Sequence, residues 1–105
     1  MKVYGYRNNV EGIVDIKDTM EAFGEYVDGS VEMVSLTAEY VLLYNSGSSL
    51  DNEELEANVA WFDNDELVDV ICGRCFVCRR TKEGFSGIEE SDIPVIKRML
   101  IQHKK

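Results

Sequence analysis

The sequence predicts an α+β domain: an antiparallel sheet of about four or five strands with two main helices packed on it. Three observations carry this. Met20, Phe23 and Val27 recur at helical spacing. The stretch that follows, Ser30-Val31-Glu32-Met33-Val34-Ser35-Leu36, sorts onto two faces with the period of a strand. A second β-rich run, Tyr40-Val41-Leu42-Leu43-Tyr44, comes only a few residues later, which is the spacing of a hairpin. The turn from helix to strand falls at Val27-Asp28-Gly29, with Gly29 expected to supply the positive-φ stop. On this reading the helix folds back over the strand it feeds, and the rest of the sheet is added around that pair.

Taken in order, residues 2–7 carry Val3, Tyr4 and Tyr6, good strand formers. Asn8-Asn9 reads as a turn, and residues 10–16 as a short strand or extended lead-in. Asp18 or Thr19 caps a first helix over residues 18–27. Its outer side carries Asp18, Glu21 and Glu25, with Asp28 just past the end; acids this late in a helix oppose its dipole. Strands at 30–36 and 40–44 follow, then a turn or loop at Asn45-Ser46-Gly47-Ser48-Ser49.

Residues 51–69 read as an acidic, partly helical connection. Asn52 can cap a short helix whose stripe is Leu55, Val59 and Phe62, and Asp63-Asn64-Asp65-Glu66 breaks it. The strongest late strand runs from Leu67 to Arg80. A turn at residues 82–87 leads to a closing helix capped by Ser91. Pro94 is tolerated in its first turn, where no amide donor is needed. Ile93, Ile96 and Leu100 form its buried stripe. Neither an internal repeat nor a low-complexity tail is visible.

The 105 residues suffice for one domain spanning 1–105, and a hydrophobic content of 45% is enough for a core. No apolar run reaches the ~18–20 residues of a membrane span. The N-terminus, Met1-Lys2-Val3-Tyr4-Gly5-Tyr6-Arg7, lacks a signal peptide's apolar stretch, so the expected compartment is the cytoplasm, with no membrane partner. Cys72, Cys75 and Cys78 are an odd count in one cluster, a poor disulfide framework that also suits a reducing compartment.

Charge is the most informative feature. The net charge is −9, and from Asp18 through Gly73 there are fourteen Asp or Glu and no Lys, Arg or His. From Arg74 to Lys105, eight Lys or Arg stand against four acids. A field of that kind says more about partners than about fold. Direct nucleic-acid binding through the acidic part is disfavoured, because phosphate binding runs on Lys and Arg.

Chemistry-bearing motifs are few. Cys72-x-x-Cys75-x-x-Cys78 suggests zinc, but a structural site needs four ligands and the one candidate fourth is His103. On a strand, Cys75 points away from Cys72 and Cys78, so the three read as buried hydrophobes and no metal is expected. Asp63-Asn64-Asp65-Glu66 lacks the glycine and the remaining ligands of a calcium loop. There is no phosphate-binding glycine loop and no identifiable carboxylate pair, so no catalytic residue, cofactor or enzyme activity is expected. Trp61 and Phe62 could anchor a partner, though adjacent aromatics are more often core.

Several segments together resemble a family of uncharacterised phage and mobile-element proteins. That family carries a V-G-G-Y-I-E-V-V segment, matched by Val27 to Val34, followed by a strand ending in N-E, matched at Asn45. A downstream Asn (Asn58), a D-x-I-x-G strand start (Asp69 to Gly73) and an L-T-x-E-D helix start (Ile88 to Asp92) complete it. The likeness runs from about Ile13 to Leu100. Asp28 and Ser30 stand where the family has Gly and Tyr, and Ser46 where it has Glu. The motifs are structural, and the family has no agreed activity.

Such an origin brings a second resemblance into range. Small acidic anti-CRISPR inhibitors of type II RNA-guided nucleases, several of them nucleic-acid mimics, are similar in size and charge. This resemblance implies binding to a basic nucleic-acid-binding protein in the host bacterial cytoplasm. The expected contact acids are Asp51, Glu53, Glu54, Glu56, Asp63, Asp65, Glu66 and Asp69. Alternatives are a small-molecule-binding or sequestering protein, and a replication accessory protein.

Overall fold

A computed structural model describes residues 1–7, 10–46, 57–63 and 66–102. The chain opens with β1 (Lys2–Arg7) and β2 (Val10–Asp15), paired antiparallel in continuous register from Lys2↔Asp15 to Arg7↔Val10. Helix α1 (Met20–Val27) follows, then the hairpin of β3 (Val31–Ser35) and β4 (Tyr40–Asn45). Next come β5 (Ala57–Asp63), β6 (Glu66–Cys72), β7 (Cys75–Thr81) and the short β8 (Gly84–Ser86). A 3-10 turn at Glu90–Asp92 runs into α2 (Ile93–Met99), and β9 (Leu100–Gln102) closes the described chain.

Two antiparallel sheets result. The large one has the order β2-β1-β7-β4-β3, with β8 also paired to β7; the small one has the order β6-β5-β9. The α+β architecture, with a mainly antiparallel sheet and two helices, is the one the sequence predicts. The organising strand differs. β7 sits at the centre of the large sheet, whereas β3, expected at the heart of the fold, lies on its edge. Burial explains the order: β7 reads Cys-Phe-Val-Cys and buries all four of these side chains, while β3 leaves Glu32, Met33 and Ser35 exposed. A strand apolar on both faces needs cover on both, and a mixed one tolerates an edge.

α1 covers one face of the large sheet. Phe23 and Val27 join Val3, Ile16, Val41, Leu43, Phe76 and Cys78 in one cluster, with the Phe23 and Phe76 rings 5.3 Å apart. Met20, expected on the same stripe, is 55% exposed because it begins the helix. The other face is covered by α2 and the small sheet: Tyr4, Tyr6, Leu42, Cys75 and Val77 meet Ile71, Ile96 and Leu100. Of the α2 stripe, Ile96 and Leu100 are buried and Ile93 half-buried.

Two expectations are corrected here. Residues 57–62, assigned to a helix, are strand β5, which pairs with β6 on one side and β9 on the other. The apolar residues there fit both periods, and the partner strand β9 decides between them. The single late strand from Leu67 to Arg80 is two strands in two sheets. Gly73 lies between them at φ 73°, a left-handed conformation that residues with a Cβ resist. Asn52 and Leu55 lie outside the described residues.

Candidate functional site

The acidic surface begins at α1. Thr19 caps the helix, its Oγ1 accepting from Ala22 N at 3.1 Å. Glu21 in the first turn suits the helix dipole; Glu25 and Asp28 at the other end oppose it, and no basic residue occupies the last turn. Gly29 has the expected positive φ (158°), but the residue in the left-handed conformation is Asp28 (φ 63°). Asn45, at the end of β4, holds this unusual terminus. Its Nδ2 donates to Val27 O at 3.2 Å and to Asp28 O at 2.9 Å, satisfying carbonyls the helix leaves without partners. Asn45 comes so near that a Cβ on Gly29 would lie 2.5 Å from its Nδ2. Gly29 is therefore required by close approach.

Asp18, Glu21, Glu25, Asp28 and, on β3, Glu32 are all exposed, and none has an ion pair among the described residues. The acids that do find partners lie elsewhere. Glu11 meets Lys97 Nζ at 3.6 Å, Asp15 meets the N-terminal amine at 3.0 Å, and Glu39 meets Arg79 at 3.2 Å.

Of the eight contact acids expected from the sequence, Asp51, Glu53, Glu54, Glu56 and Asp65 lie outside the described residues. The structure brings the other three onto one hairpin. Asp63 ends β5 directly across from Glu66, which begins β6, and Asp69 lies across from Trp61. Glu66 is exposed, as are its neighbours Leu67 and Val68.

The buried polar centre is elsewhere and was not anticipated. Asp92, 5% exposed, is the one buried charged side chain among the described residues. It accepts from the Tyr40 hydroxyl at 2.5 Å and from Glu89 N at 2.8 Å, and Arg79 lies 3.6 Å away. Arg79 also stands 5.8 Å from the Tyr40 ring centre. Burial pushes the Asp92 carboxyl up, but the Tyr40 hydroxyl, the Glu89 amide and Arg79 outweigh it, leaving its pKa below the ordinary value. Burial, then the Asp92 contact, raises the Tyr40 hydroxyl to about 12. A locked tyrosine and a paired carboxylate fasten the 3-10 turn to β4 and β7; they offer no poised acid or base.

Cys75 and Cys78 are buried on opposite faces of β7, one in each core cluster. Burial raises both thiols, Cys78 to about 12, so neither is a thiolate at neutral pH. Cys72 ends β6 in the other sheet. Trp61 is half-buried and packs against the core beneath the small sheet, a structural position for one of the two candidate anchors.

No helix among the described residues is long and apolar enough to cross a membrane. No curated protein and no solved structure matches the chain. A family match does, and it takes in β1 through α2 and the first two residues of β9: over residues 1–101 the chain belongs to DUF3846, a domain of unknown function.

Proposed function

We propose that this chain is a binding protein whose acidic surface engages a basic, nucleic-acid-binding protein and competes with the nucleic acid for it. One observation carries the reading. α1 keeps Glu25 and Asp28 at the end where its dipole disfavours them, with Asp28 in a left-handed conformation. An acid at a helix C-terminus is disfavoured by about 0.3–1 kcal/mol, and the left-handed conformation is one that glycine takes freely and Asp only occasionally. Neither acid gains an ion pair among the described residues in return. Side chains that local physics disfavours are candidates for use by a partner.

The finer form of the proposal takes a type II RNA-guided nuclease as the target, on the strength of the similarity in size and charge. The direct experiment is nuclease cleavage with the protein added before and after guide RNA. Inhibition should be stronger before loading, and guide RNA should compete. Changing Glu25 and Asp28 to Lys should weaken binding to the basic partner, and the Glu25 change alone should raise thermal stability, because the dipole is then better matched and left-handed Asp28 is untouched. The triple change of Glu53, Glu56 and Asp63 to Lys should also weaken it, and Lys104 and Lys105 to Glu should not. Equal inhibition by native and reversed proteins would end the reading.

A further inference from the structure

β3 has β4 on one side and no strand on the other among the described residues. Its own hydrogen bonds fix which groups face outward. Leu36 N donates to Tyr40 O at 2.9 Å, and Ser46 N donates to Ser30 O at 2.8 Å. Between those two bonds the register runs unbroken from Val31↔Asn45 to Ser35↔Val41. Alternation then turns the amides and carbonyls of residues 32 and 34 towards β4, and those of Val31, Met33 and Ser35 away from the sheet. An open edge is ordinarily blunted by charged side chains, lysine above all, by proline or by a bulge. β3, Val-Glu-Met-Val-Ser, has no lysine, proline or bulge, and its one charge is the acid Glu32.

The surroundings select the occupant. Glu32 is exposed on the strand, and Glu25 and Asp28 stand on the turn of α1 that feeds it. A cation, Arg80, reaches the far end and donates to Ser35 Oγ at 2.7 Å. A second copy would bring another −9 of net charge and set Glu32 near its own counterpart. A lysine- or arginine-bearing strand would be drawn to the Asp28 end by charge and held by the outward amides and carbonyls.

We propose that the β3 edge accepts an extended basic segment of a partner protein as an added strand, through the main chain of Val31, Met33 and Ser35. The proposal rests on the basic-partner reading above and adds how that partner is held. Main-chain bonds would give the affinity, and the acids would give the preference for basic side chains.

The probe is a short synthetic peptide of alternating Lys and Val, titrated into the full chain at about 0.15 M salt. On binding, amide exchange at Val31, Met33 and Ser35 should slow. N-methylation of alternate peptide amides should weaken binding at least about tenfold, by removing the main-chain donors. Met33→Pro removes an outward donor without touching an acid, a substitution edge strands tolerate, and should weaken binding comparably. Should Met33→Pro fail to fold, exchange and the N-methyl peptide decide on the native protein. Unchanged exchange at the three amides, or full affinity for the N-methylated peptide, overturns strand addition. If reversal of Glu25 and Asp28 then still abolishes binding, the basic-partner reading survives without it. Amides already protected in the free protein would assign the edge to the chain's own residues, and protection that grows with protein concentration would assign it to a second copy; either overturns the proposal.

Discussion

Asn45 is the side chain through which three parts of the fold meet. It ends β4, closes α1 by donating to Val27 O and Asp28 O, and approaches Gly29 too closely for any side chain there. Its removal leaves two carbonyls without their donor. Asn45→Ala should lower the unfolding free energy by about 1–2 kcal/mol, and the thermal midpoint by roughly 4–8 °C per kcal/mol. An unchanged midpoint would mean that water replaces the amide fully. Asp92 and Tyr40 make a second prediction, about pH. The folded pKa of Asp92 is lowered, so its contribution is complete above the unfolded value near ~3.9 and is lost as pH falls through the lower folded value. Tyr40 is raised to about 12, so its contribution is complete below its unfolded value and is lost as pH rises through about 12. Asp92→Asn should flatten the acid limb of a stability–pH curve, and Tyr40→Phe the alkaline limb. Parallel curves for Asp92→Asn and the native protein would show that the carboxylate's charge contributes nothing.

At the scale of elements, local patterns were legible where one period stood alone. β1, β2, α1, β3, β4 and α2 lie at or within a few residues of the spans read from the sequence. β5 was not, because Val59-Ala60-Trp61-Phe62 serves a helix stripe and a strand equally. Its neighbour β9 follows α2, some forty residues on, and pairs as Val59↔Gln102 to Trp61↔Leu100. No local signal encodes that contact. Asp63-Asn64-Asp65-Glu66 marks the end of an element in the sequence, but nothing in it shows that the strands on either side pair with Asp63 across from Glu66. The break between β6 and β7 was hidden for another reason. Val70-Ile71-Cys72 and Cys75-Phe76-Val77-Cys78 read as one β-rich run on either side of Gly73-Arg74, and the left-handed backbone of Gly73 divides them. Gly73→Ala should therefore cost about 1–2 kcal/mol, measurable as a lower denaturation midpoint. An equal midpoint would show that the two sheets reorient freely about this residue. Of the candidate site, the charge was legible and its support was not: neither the left-handed Asp28 nor the Asn45 clasp can be read from composition.

For the whole molecule the dominant quantity is the net charge of −9. Like charges crowd α1, which carries acids without a basic residue in its last turn to offset them. Self-repulsion of this kind weakens the compact state, and salt relieves it by shortening the reach of each charge from about 30 Å at 0.01 M to about 8 Å at 0.15 M. The free protein should become more stable as salt rises over that range. A complex with a basic partner should respond in the opposite sense, because the same screening removes the attraction that brings the two together. The loss should appear mainly in the association rate, which complementary charge raises more than it slows dissociation. Opposed salt slopes are hard to obtain any other way. A chain whose acids serve solubility alone gains stability with salt and shows no salt-sensitive complex. A chain that binds through apolar contacts forms a complex that salt leaves intact or strengthens. Thermal unfolding and association kinetics, measured on one preparation across that salt range, separate the cases. A complex whose association rate is indifferent to salt would assign the acidic surface to solubility, whatever the stability of the free chain does.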